Sequence, residues 1–137
     1  MVGIDFRFPD GTTIGFTTNG AWDMPVGTIL VKEFSYETAR GNPASTRMLE
    51  TRFLQRRASG WRGFSYQWNE AQTGAFLLDN GTTETFPVSD PATGATEHTH
   101  VFPSRSDCQR CHTTAAGATR GLRTLQHPGV LVGPEPG

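Results

Sequence analysis

Short runs of β-favouring residues, repeatedly cut by turn signals, constrain this chain more than any other feature. Residues Trp61 to Trp68 alternate, with Phe64, Tyr66 and Trp68 on one side and Gly63, Ser65 and Gln67 on the other. A strict period of two is the signature of a strand with one face buried. Gly27 to Phe34 is rich in β-branched and apolar residues, and Met48 to Arg56 mixes apolar and charged residues in near alternation. Ile4 to Phe8, Thr12 to Thr18, Gly74 to Leu78 and Glu97 to Phe102 add shorter runs. Pro9-Asp10-Gly11 separates the first two, and Asn19-Gly20 and Asn80-Gly81 read as hairpin turns. Residues 36–46 and 87–97 read as loops, being poor in apolar content and broken by Gly or Pro. The pattern predicts an antiparallel sheet.

The chain of 137 residues holds two cysteines, and both lie in Cys108-Gln109-Arg110-Cys111-His112. This spacing is the c-type haem attachment pattern: each thiol forms a thioether with a haem vinyl group, and His112 follows as the proximal iron ligand. Zinc remains an alternative, with Cys108, Cys111 and two of His98, His100, His112 and His127 as a four-ligand set. No second CxxC pair supports it. A redox dithiol is a further alternative, without the βαβ context that such pairs favour. Pro103 to Asp107 reads as a helix start, with Ser104 or Ser106 as cap and Asp107 in the first turn. The motif is therefore expected on a short helix that ends near Ala115-Ala116-Gly117, with a second helical piece at Thr119 to Gln126. The fold class expected is α+β: a mainly antiparallel β-sheet with short helices, one carrying the CxxCH motif near the C-terminus. Residues 1–126 form a single domain and residues 127–137 a Pro/Gly-rich tail.

Composition narrows the function classes. A net charge of −1 gives no field for nucleic acid or an anionic membrane, and no apolar run is long enough to span a bilayer. The first residues lack the layout of a secretory leader. Since bacterial haem c is attached outside the cytoplasm, the chain is read as a mature domain or fragment with its leader removed. Lys32 is the only lysine, and every other basic residue is Arg. Arginine pairs bidentately with carboxylates such as haem propionates, although coding bias alone also favours it. Arg105, Arg110, Arg120 and Arg123 surround the motif and are the propionate candidates. Glu50-Thr51-Arg52 reads first as an ordinary cross-strand ion pair. Asn80-Gly81-Thr82 matches a glycosylation acceptor and is read only as a turn.

Several segments together resemble a known family. They are Trp22-Asp23-Met24-Pro25-Val26-Gly27-Thr28-Ile29-Leu30-Val31-Lys32, Glu50-Thr51-Arg52-Phe53-Leu54, Gly60 to Thr73, and Phe102-Pro103-Ser104-Arg105 with the CxxCH motif, Ala115-Ala116-Gly117 and Gly121-Leu122. From about Phe6 to Gln126 the chain resembles the haem-c domain of exported bacterial diheme cytochrome-like and sugar-dehydrogenase-like proteins. More distantly, a β domain with CxxCH near its C-terminus is similar to cytochrome c-prime-beta and its hydroxylamine-oxidising relatives. The chain departs from the family at Gln126-His127-Pro128, and Met24 stands where the family has Phe. The resemblance implies one covalent haem c and export to the periplasm or cell envelope. It implies electron transfer with a redox partner protein or dehydrogenase domain, more than an enzyme in its own right.

The distal side of the iron decides the chemistry. His98 and His100 lie two apart and point the same way along a strand; both are candidates, as is Lys32, whose family likeness allows a haem contact. Met24 and Met48 are candidates by type, Met24 reading better as core, and His127 falls in the tail. The alternative is a five-coordinate haem walled by Phe34, Phe53, Phe64 and Trp68, which would bind NO or CO or act as a modest peroxidase.

Overall fold

The computed structural model describes residues 1–16 and 22–111, apart from the side chains of Gln109 and Cys111. Along these the chain forms β1 (Val2–Arg7), β2 (Ile29–Glu37), a 3-10 turn (Pro43–Ser45), β3 (Thr46–Arg57), β4 (Gly60–Trp68), β5 (Ala75–Leu77), β6 (Thr82–Asp90), β7 (Ala95–Phe102) and α1 (Arg105–Cys111). Strands β1 to β5 make one antiparallel sheet in sequence order, and β6 and β7 make a separate hairpin.

This corrects the expected α+β class. Among the described residues strand far outweighs helix, so the fold is β-rich, with one seven-residue α-helix. The reason is visible in the connections: from β3 to α1 they are two to six residues long, too short to hold an α-helix. Residues 87–97 were expected as loop but supply the ends of β6 and β7. Pro87 is accommodated because the register shifts between Pro87 and Asp90, where the ladder is already interrupted. Asn80-Gly81 does not close a hairpin, since β5 and β6 belong to different sheets. Among the described residues of the Thr12 to Thr18 run, only Gly15 pairs, in an isolated bridge to Asp23. Asn19-Gly20 and the helical piece at 119–126 lie outside the described residues.

Register sorts the large sheet into two faces. Lys32 opposes Arg52 and Phe34 opposes Glu50 across β2 and β3; Arg52 opposes Ser65 and Leu54 opposes Gly63 across β3 and β4. These residues share one face. Val31, Phe53, Phe64, Thr51 and Tyr66 share the other. A bulge at Leu49, which has no partner in β2, shifts the register between Phe34 and Ser35.

The hairpin lies over the first face. Tyr36 packs against Phe86 at 5.5 Å and His98 at 5.8 Å, and Phe34 meets His100 at 5.3 Å between ring centroids. The far end of the hairpin is tied down by the parallel bridge Ala39 to Ser89, in which Arg40 N–H donates to Ser89 and Ser89 N–H to Thr38. Helix α1 lies against β4. Met24, Leu49, Leu54 and Phe102 are the buried apolar side chains; Thr28, Glu50, Thr51, Ser65 and Asp90 are buried polar ones. No helix among the described residues is long and apolar enough to cross a membrane.

Candidate functional site

Helix α1 begins with a reciprocal cap. Asp107 N–H donates to Ser104 Oγ at 3.2 Å, while Ser104 N–H and Oγ donate to Asp107 Oδ2 at 3.0 and 2.6 Å. Two otherwise unsatisfied amides of the first turn are thereby paired. The same hydrogen bonds hold the Asp107 carboxyl below its ordinary range. The preceding residue of the strand, Phe102, is 1% exposed and anchors the point where β7 turns into the helix.

Cys108 then meets the sheet at a glycine. A Cβ on Gly63 would lie 2.6 Å from Cys108 Cβ and 3.0 Å from its Sγ, closer than side chains tolerate. Glycine inside a strand commonly marks such a close approach. Gly81 does the same one step earlier: a Cβ there would sit 2.9 Å from Ser104 N and 3.0 Å from Phe102 O. Cys108 is half-buried and unpaired. Burial pushes its thiol upward; Arg52 pulls it down, while Glu50 and Asp107 push it up further.

Beside this contact lies a charged cluster that goes beyond the ion pair expected of Glu50 and Arg52. Glu50 is fully buried. Arg52 grips it with a fork, Nε to Oε1 at 2.5 Å and Nη2 to Oε2 at 2.8 Å. Ser65 Oγ donates to Oε1, and His100 Nε2 lies 2.7 Å from Oε2. Burial raises the Glu50 carboxyl, but the hydrogen bonds of His100, Arg52 and Ser65 outweigh it, and the group lies below its ordinary range. The Arg52 guanidinium also covers the Phe34 ring at 4.2 Å and donates to Val101 O at 3.3 Å. His100 meets Phe102 edge-on at 4.7 Å. Strands β2, β3, β4 and β7 all contribute. The expected cross-strand pair for Glu50 and Arg52 is thus corrected: the two pair along β3, two residues apart, because they share the covered face. A charge aligned with Gly63 and Ser65 was the available signal, since small residues on a strand face admit a covering element.

The other candidates are distributed as follows. Cys111 ends α1, and His112, Arg120, Arg123 and His127 lie outside the described residues. His98 and His100 point the same way, with centroids 6.3 Å apart. His98 stacks on Tyr36, and burial followed by the His100 charge lowers its pKa. The Nε2 of His100 is committed to Glu50. The Lys32 ammonium sits 5.1 Å from the Phe34 centroid. Arg105 covers the Phe64 ring at 5.3 Å, lies 3.8 Å from Asp79, and its buried Nε has no hydrogen-bond partner. Arg110 is largely exposed and pairs with Asp107 at 3.3 Å. Met24 is core, as read. The four aromatics expected to wall one site are divided: Phe34 lies under the hairpin, whereas Phe53 and Phe64 are on the opposite face.

A cleft of about 550 Å³ opens between the hairpin and the far ends of β2 to β4, lined among others by Tyr36, Arg47, Trp68, Gln72 and Phe86. The Arg47 guanidinium there donates to Glu70 O.

The described residues fit a covalent haem at α1 in two respects. One thiol of the motif is held half-buried on a capped helix. One turn earlier, Arg105 keeps a buried N–H without an acceptor, as a carboxylate-bearing group beside the helix would require. Comparison of the chain with family models, curated proteins and solved structures returns no match.

Proposed function

We propose that this chain is a c-type cytochrome domain carrying one haem c, attached through Cys108 and Cys111 with His112 as proximal ligand, and that it transfers electrons in the bacterial periplasm or cell envelope. The observation that supports the reading is that the two cysteine positions of the motif, Cys108 and Cys111, fall on a capped helix whose Cys108 lies against the sheet at Gly63. The haem would supply a reversible one-electron iron couple. The chain's own residues hold it and shape its surroundings. Arg105, with its unpartnered Nε, and the exposed Arg110 would receive the propionates. The buried Leu54 and Phe102 would help keep water from a thioether at Cys108, and the Glu50–Arg52 pair would set a fixed charge pattern beside it. A redox protein or an attached dehydrogenase domain is the partner proposed; the resemblance to exported haem-c domains supports both partner and location.

A second reading, a five-coordinate haem that binds NO or CO or has modest peroxidase activity, is favoured by the occupation of the distal candidates. The Nε2 of His100 is bonded to Glu50, His98 is stacked on Tyr36, and Lys32 lies over Phe34. Absorption spectra of protein matured with the haem-c machinery, oxidised and reduced, before and after CO, separate the two. Sharp reduced bands unmoved by CO are expected for an electron carrier; a broad spectrum that shifts with CO supports the second reading. Denaturation-resistant haem should vanish in the Cys108→Ala, Cys111→Ala double variant, and its survival there would defeat the attachment. A wild type without haem would turn the reading to zinc held by the same cysteines and histidines.

A further inference from the structure

Two glycines, distant in sequence, meet the same helix. Gly63 lies in the middle of β4, where it has no left-handed backbone to justify it. Its lack of a side chain is used most closely by Cys108, whose Cβ and Sγ occupy the space that a methyl group would need. Gly81 lies just before β6, and its bare Cα admits the backbone of Phe102 and Ser104, the joint between β7 and α1. Gly3, in the edge strand β1, is different: a Cβ there would meet nothing closer than 3.7 Å. The tight contacts at Gly63 and Gly81 thus concern one object, the helix that begins the CxxCH motif.

We propose that Gly63 and Gly81 are the positioning residues of the haem attachment, setting α1 so that the Cys108 sulfur is fixed against β4 beside the Glu50–Arg52 pair. The proposal rests on the haem reading above and adds what holds the cofactor in register with the sheet. A thioether at Cys108 would form by addition of its S–H across a vinyl double bond, with no by-product and no oxidant, and Gly63 would act on the sulfur's position rather than on that addition. A methyl group at Gly63 would push Cys108 away from β4 and from the Glu50 and Arg52 charges that act on it, and a haem held by that sulfur would move with it. Coulombic interactions in a site shielded from water vary steeply with distance, so the iron potential records the displacement.

The test uses the haem-loaded full chain. Gly63→Ala and Gly81→Ala are compared with wild type and with Gly3→Ala. Redox titration is expected to show a shifted or two-component midpoint in Gly63→Ala, a smaller shift in Gly81→Ala and none in Gly3→Ala. Because Gly63→Ala can fail to fold, the wild type is also measured directly: a nuclear Overhauser contact between the Cys108 β-protons and the Gly63 α-protons is expected in the loaded protein. Absence of that contact, or midpoints in both variants equal to that of Gly3→Ala, overturns the proposal and leaves the haem reading intact. A wild type that takes up no haem overturns both.

Discussion

The two faces of the five-stranded sheet reverse the usual relation between polarity and burial. The face carrying Glu50, Arg52, Gly63 and Ser65 is covered by the hairpin and α1, with Glu50 fully buried and Ser65 3% exposed. The face carrying Phe53, Phe64 and Tyr66 is only half-buried, its rings satisfied by one another and by arginines: Phe53 meets Tyr66 edge-on at 5.5 Å, and Arg62 and Arg105 lie over Phe64. A covering element approaches most closely where side chains are small, and buried charges are tolerated there only because every oxygen of Glu50 is matched. Bulk on the other face serves breadth of contact instead of depth.

The contrast makes graded predictions. Glu50→Ala should be the most damaging, costing about 3–5 kcal/mol in urea unfolding, the usual effect of stranding buried charges by removing their partner. A cost near that of a surface change would show that the covered face is wet. Acidification comes next. The folded Glu50 carboxyl lies below its unfolded value, so its stabilisation is complete above the ordinary carboxylate range and disappears as pH falls through the lowered value. His98, also lowered, removes stability earlier, as pH falls through the ordinary imidazole range. Unfolding midpoints against pH should therefore fall in two stages, the upper one absent in His98→Phe and the lower one reduced in Glu50→Gln, because Asp90 and Asp107, also held low, titrate in the same stage. Thr51→Val deprives Trp68 Nε1–H of its 2.9 Å acceptor and should cost about 1 kcal/mol. Phe64→Ser on the open face should cost least, about 0.5–1 kcal/mol from lost guanidinium–ring contact. If it rivals Glu50→Ala, a partner or another part of the chain covers that face in solution.

Alternation in Trp61 to Trp68 made it legible which residues share a face, and Ser104 with Asp107 made the helix start legible, because both are local properties. Which face is covered was not legible, since it depends on where residues 82–102 return. Reading 87–97 as loop hid that return: Pro87 looks like a breaker in isolation and is harmless at a bulge. For the same reason the site appeared as a cysteine motif with scattered arginines, while Glu50, Ser65 and His100 converge only through tertiary placement. Asn80-Gly81 shows the limit of turn signals, since the glycine there serves contact with Phe102 and Ser104 as well as the bend.

Every strand of the main sheet pairs with a neighbour in sequence, and so do the two strands of the hairpin. Both pieces are therefore built from contacts that close quickly. The site is not: Glu50 and His100 are 50 residues apart, as are Arg40 and Asp90. It comes into being only when two separately formed pieces meet, which places its assembly at the slow end of folding. A chain whose sheet is complete but whose hairpin has not docked would already show most of its secondary structure and none of its site, so far-ultraviolet dichroism should recover ahead of any signal from the neighbourhood of Cys108.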